Sequence, residues 1–190
     1  MGGECANTVC RLPDREFSRL YTVSEQADET WDLIYRFKYG EERHLADELG
    51  AMLVAFLRSH RDELERFDLF TSIALYIGPD AQRLWDYLAM IIEAARRIDD
   101  SWPFVPDVIT KVRPTGRFLG IGVEERRAIA EGELRDALHV PDPGLVAGRR
   151  VLLVDDAFSE GFTMREMARA LRGAGAVEVA GLVFTRRKGT

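Results

Sequence analysis

The run Val151-Leu-Leu-Val-Asp155-Asp156-Ala157-Phe158-Ser159-Glu160-Gly161-Phe162-Thr163 constrains the fold more than any other stretch of this 190-residue chain. An uninterrupted apolar strand is buried on both faces, as happens in a mainly parallel sheet covered by helices. Two acids close the strand, and small and hydroxyl residues then turn the chain into a helix expected from about Gly161 to Gly173. In open α/β sheets the crevice at the carboxyl ends of the strands takes ligands. Amides at a helix N-terminus carry partial positive charge, so the turn suits a phosphate, with Ser159 and Thr163 adding hydroxyl donors. Gly161 allows close backbone approach. Ionised Asp155 and Asp156 are pure acceptors, suited to the vicinal hydroxyls of a sugar.

Other proteins also end an apolar strand in two acids. A response-regulator receiver needs a phosphorylated aspartate and a lysine on later strands, and too little chain follows Asp156 for them. A Walker B strand needs a Gly-x4-Gly-Lys-Ser/Thr loop elsewhere, and the sequence has no Gly-Lys dipeptide. A purely structural reading makes Thr163-x-x-Glu166 a capping box for an ordinary helix. It leaves the two acids, Gly161 and the hydroxyls in one turn without a reason.

The rest of the chain fits the same α/β class. Arg19 to Val23 reads as a short edge strand, Asp28 to Lys38 as a helix, and Glu41 to about Phe67 as a long amphipathic helix with a break near Ser59-His60. Phe70 to Ile77 reads as a buried strand, followed by a turn at Gly78-Pro79-Asp80 and a helix from about Ala81 to Ile98, with Leu84, Leu88, Ile91, Ile92 and Ala95 on one face. A β-type run, Val108 to Val112, and a charged helix, Glu124 to Leu138, form a flexible hood segment before the turn at Pro141-Asp142-Pro143-Gly144. The last strand is Glu178 to Thr185. Residues 1 to 16 lack periodicity and read as a tail on one domain, 17 to 190.

A net charge of −6 makes nucleic acid an unlikely partner, and a small anionic ligand needs locally placed donors. No signal peptide and no apolar run of about 20 residues stands in the sequence, so the expectation is a cytoplasmic protein without a membrane partner. Cys5 and Cys10 cannot complete a four-ligand zinc site alone. His44, His60 and His139 show no ligand spacing and read as surface residues; Trp85, Tyr87, Leu88 and Met90 read as core.

The run Val151 to Thr163 resembles the phosphoribosyl-pyrophosphate (PRPP) signature of type I phosphoribosyltransferases. Tyr35-Arg-Phe-Lys38-Tyr-Gly40 with Leu45 to Gly50, and Gly120 to Leu134, are similar to segments of the ComF-like branch associated with competence operons. The resemblance implies a type I phosphoribosyltransferase-like sheet and places Asp155 and Asp156 on the ribose hydroxyls, with Ser159 in a catalytic position. It implies a 5′-phosphate loop of Ala157, Phe158, Ser159, Glu160, Gly161, Phe162 and Thr163. Magnesium would bridge pyrophosphate and ribose, arriving with PRPP and reached, if at all, through Asp155 and Asp156. Pyrophosphate candidates are Tyr76, Ile77 and Gly78 after the buried strand, and Arg113, Arg117, Arg126 and Arg127 in the hood, since guanidinium groups suit bidentate phosphate contacts.

The chain departs from that pattern where chemistry would occur. Glu160 replaces a small or hydroxyl residue. A carboxylate facing a phosphate at 4 Å costs about 1–4 kcal/mol with screening, and the expectation is that Glu160 points to solvent. The loop after Tyr76 lacks the branch's basic character, and Ile129 and Glu131 stand where that branch shows Asn and a basic residue. The implied function is transfer of ribose 5-phosphate from PRPP to an unidentified acceptor, with a homodimer allowed. The alternative is a non-catalytic PRPP- or nucleotide-binding regulatory or scaffold module.

Overall fold

A computed structural model of the chain describes residues 15–24, 27–81, 84–118 and 120–186. Cys5 and Cys10, and all of the expected tail except Arg15 and Glu16, lie outside them. Four parallel strands form the main sheet in the order β1 (Leu20–Thr22), β6 (Glu178–Arg186), β5 (Arg150–Phe158) and β2 (Leu69–Ser72). The apolar strands β5 and β6 occupy the centre, and Arg19 to Val23 contributes the edge strand that its β-formers predict. Helices α1 (Ala27–Tyr39), α2 (Leu45–Ser59), α3 (Arg61–Leu64), α4 (Tyr87–Ile98) and α7 (Phe162–Gly173) flank the sheet. The expected mainly parallel, helix-flanked α/β class is what the chain adopts. Among the described residues no helix is long and apolar enough to cross a membrane.

Local chemistry explains where expected boundaries move. The long second helix breaks at His60, whose backbone leaves the helical region at φ −118°. Helix α4 starts at Tyr87, not Ala81, because the Asp86 carboxylate accepts from the Ala89 amide at 2.8 Å and caps it there. Leu84 therefore lies outside the helix and is exposed instead of facing the core. Only Leu69 to Ser72 of the expected Phe70–Ile77 strand joins the sheet. The hood helix α5 (Val123–Ile129) widens into a π-helical turn, Ala130–Leu134, before the short α6 (Arg135–Ala137). It stops short of Leu138 because β4 (Leu138–His139) pairs antiparallel with β3 (Thr110–Lys111).

Register opens the crevice. Strand β2 pairs with β5 from Leu69↔Val151 to Ser72↔Val154, and the Ile73 amide makes a last bond to the Val154 carbonyl at 2.9 Å. Beyond it β5 continues to Phe158 against β6 alone. Asp155 and Asp156 lie at the first positions past the end of the β2 ladder, so the gap between β5 and Ile73–Tyr76 exposes them to a cavity.

Candidate functional site

Two connected hollows meet at Asp155. The larger, about 470 Å³, is bordered by Asp155, Asp156, Ala157, Ser159, Glu160 and Thr163, by Ile73 to Tyr76, and by hood residues that include Lys111, Thr115, Arg117 and Arg126. The smaller, about 90 Å³, is wrapped by Ala157 to Met164 with Arg126 opposite. It lies at the N-terminus of α7, where Gly161 at φ 90° turns the chain into the helix and, as a glycine, brings no side-chain cap of its own to the first amides. That arrangement gives a phosphate both the helix dipole and a guanidinium. Ala157 and Phe158, expected in the loop, belong to β5, pairing with Thr185 and Arg186 while still bordering the small hollow.

The acid pair is asymmetric. Asp156 Oδ2 accepts from Lys38 Nζ at 2.6 Å and Oδ1 accepts from the Tyr87 hydroxyl at 2.9 Å, while Asp155 Oδ1 accepts from the Asp156 amide at 2.7 Å. Both carboxyl groups are buried. Burial, and then the charge of Asp156, push Asp155 well above the ordinary carboxylate range. Burial would raise Asp156 too, but the Lys38 ammonium and the hydrogen bonds from Asp155, Lys38 and Tyr87 hold it below that range. Their surroundings thus shift the two adjacent acids in opposite directions.

Lys38, Tyr87, Lys111 and Thr115 were not among the residues the sequence marked for the site. Lys38 and Trp31 are seven residues apart on α1 and share one face, which carries both into the cavity wall. Lys111 donates to Thr115 Oγ1 at 2.7 Å across the hood, and burial lowers its ammonium below the ordinary lysine range. Tyr87 belongs to the core, as expected, yet its hydroxyl reaches the acid pair.

The marked residues divide. Tyr76, Arg117 and Arg126 border the larger cavity; Ile77, Gly78, Arg113 and Arg127 do not. Arg113 pairs with Asp136 at 3.6 Å and Arg127 with Glu131 at 2.9 Å. Glu160 corrects the expectation of a solvent-facing side chain: it is only 2% exposed and borders both hollows. Glu160 immediately precedes the left-handed Gly161, in the turn that leads β5 into α7. The Thr163–Glu166 capping box does not form, since Gly161 holds the cap position and Thr163 lies inside the helix. Glu166 is instead fully buried against Arg135 and Arg165.

A divalent ion does not fit at Asp156, whose two oxygens already meet Lys38 and Tyr87. Among the described residues no three His, Cys, Asp or Glu side chains converge to hold a metal. At Asp156 itself an ammonium stands 2.6 Å from Oδ2 and a phenol covers Oδ1.

Residues 91–190, just over half of the chain, match the phosphoribosyl transferase domain model. The chain belongs to the phosphoribosyl transferase family. It is 26% identical over 175 residues to the DNA utilization protein YhgH of Escherichia coli K12, covering 90% of this chain and 74% of that one, which agrees with the ComF-like resemblance. It is 30% identical over 129 residues to the adenine phosphoribosyltransferase of Clostridium perfringens, covering 68% of this chain and 67% of that enzyme. Among solved structures, the glutamine PRPP amidotransferase of B. subtilis complexed with ADP and GMP is 28% identical, with a TM-score of 0.42. That match covers 73% of this phosphoribosyl transferase family chain and only 25% of the amidotransferase.

Proposed function

We propose that the chain binds PRPP across the two hollows and transfers its ribose 5-phosphate to an acceptor, with pyrophosphate leaving. The observation that carries this reading is the adjacency of the acid pair to the small hollow at the N-terminus of α7, with Asp155 bordering both spaces. Ser159, Thr163, the amides after Gly161 and Arg126 would receive the 5′-phosphate. Asp155 and Asp156 would hold the ribose hydroxyls, with C1 in the larger cavity, where Lys111 and Arg117 of its lining would meet the leaving pyrophosphate. The bond from C1 to the pyrophosphate oxygen breaks, its electron pair leaving with pyrophosphate, and the acceptor nucleophile forms the new bond to C1. These residues would act by positioning and by stabilising negative charge on the leaving group.

Calorimetry in magnesium buffer tests the binding step, and pyrophosphate release against a panel of nucleobases tests the transfer. Asp155→Asn should abolish PRPP binding while the fold persists; unchanged affinity would place the ligand elsewhere. A non-catalytic binding module is the second reading, favoured by the Glu160 carboxyl in the wall of the phosphate hollow. PRPP binding without pyrophosphate release against any acceptor selects it.

A further inference from the structure

Lys38 is an unusual group to find at a sugar-binding acid pair. Its side chain is 8% exposed, its Nζ lies 2.6 Å from Asp156 Oδ2, and its ammonium sits over the Tyr87 ring at 4.4 Å and the Tyr39 ring at 5.9 Å. A salt bridge, two aromatic faces and the turn of α1 that carries it hold this cation in one place. An ammonium has three donors and Asp156 takes one; Lys38 also borders the larger cavity, within reach of what the acid pair holds. A divalent ion carried to the same carboxylate would meet a like charge inside low-dielectric walls, where repulsion is poorly screened.

We infer that Lys38 supplies, at the ribose side of the cavity, the positive charge that a metal ion would otherwise bring, so that this chain binds PRPP as the metal-free anion. The inference rests on the reading of the cavity as a PRPP site. Lys38 would donate to the ribose hydroxyl oxygen or the adjoining phosphate oxygen while Asp156 keeps its orientation. The dispersed positive charge of Lys111 and Arg117 then serves the far end of the pyrophosphate, in place of basic residues in the loop after Tyr76.

The test is calorimetric titration of the full chain with PRPP, first in EDTA and then in magnesium. The expected result is binding in EDTA within about threefold of that in magnesium, a small difference on the tenfold-per-1.4 kcal/mol scale. Binding that appears only with magnesium overturns the inference and leaves the PRPP site standing; no binding in either buffer overturns both. Lys38→Met should weaken metal-free binding by about tenfold or more, as loss of a charge-assisted contact does, while Lys38→Arg retains it. Wild-type affinity of Lys38→Met in EDTA would equally overturn the assignment. Should Lys38→Met fail to fold, the wild-type comparison of the two buffers decides alone.

Discussion

Arg165 Nη2 lies 2.5 Å from Glu131 Oε1, so the first turns of α7 are bolted to the π-helical turn of the hood. Arg165 is the largest fully buried side chain among the described residues, and its guanidinium also meets Glu166 at 3.0 Å. The acid at 131, which looks misplaced beside the basic residue of the ComF-like pattern, is the partner of this buried arginine. Removing one member of a buried ion pair costs about 3–5 kcal/mol. Arg165→Ala should lose stability on that scale in a urea titration, with an unchanged slope, while Glu131→Gln, whose side chain is 33% exposed, loses less.

Gly50 is set by the approach of α2 to α4. A Cβ at this position would stand 2.7 Å from the Ala94 Cβ and 2.8 Å from the Ala95 amide nitrogen, and the latter is backbone that cannot step aside. Gly50→Ala should destabilise by about 1–3 kcal/mol, the range for overpacked cores, although alanine is the better helix former. A raised melting temperature in this variant would show that the two helices separate freely.

Gly161 has a different constraint, in its own backbone. At φ 90° an alanine pays about 1–2 kcal/mol of left-handed strain. Gly161→Ala should therefore lower the melting temperature and also weaken PRPP binding, because relief of the strain turns the α7 amides away from the small hollow. Equal loss of stability with unimpaired binding would separate the turn from the ligand.

Much of this was legible in the residues. Val151 to Val154 suit the centre of a parallel sheet, and the acid pair with the Gly161 turn marks the crevice, so the fold class and the place of the cavity were readable. The remainder depends on contacts that no local pattern encodes. Lys38 is separated from Asp156 by most of the chain, and in sequence it is one more lysine in the last turn of a helix. Leu84 has helical spacing with Leu88, yet the Asp86 cap begins the helix after it. Glu160 is buried in the turn before α7, and that burial is not written in the identity of residue 160.

Adjacent acids on β5 should respond to pH with opposite sign. Asp155 has a folded value above its ordinary 3.8, so its contribution to stability is present below that value and is lost as pH rises through the folded value. Asp155→Asn cannot ionise, and its amide oxygen can still accept from the Asp156 amide. The variant should gain on wild type as pH rises from 3.8 until the folded value of Asp155 is passed. Asp156 has a folded value below 3.8, so its stabilisation is present above 3.8 and is lost as pH falls through the folded value. Asp156→Asn leaves Lys38 buried without its anion and should cost about 3–5 kcal/mol at neutral pH, with the cost shrinking in acid. Urea midpoints measured from acid below pH 3.8 up to neutral pH decide the matter. Parallel curves for the two variants would mean that Lys38 does not select Asp156.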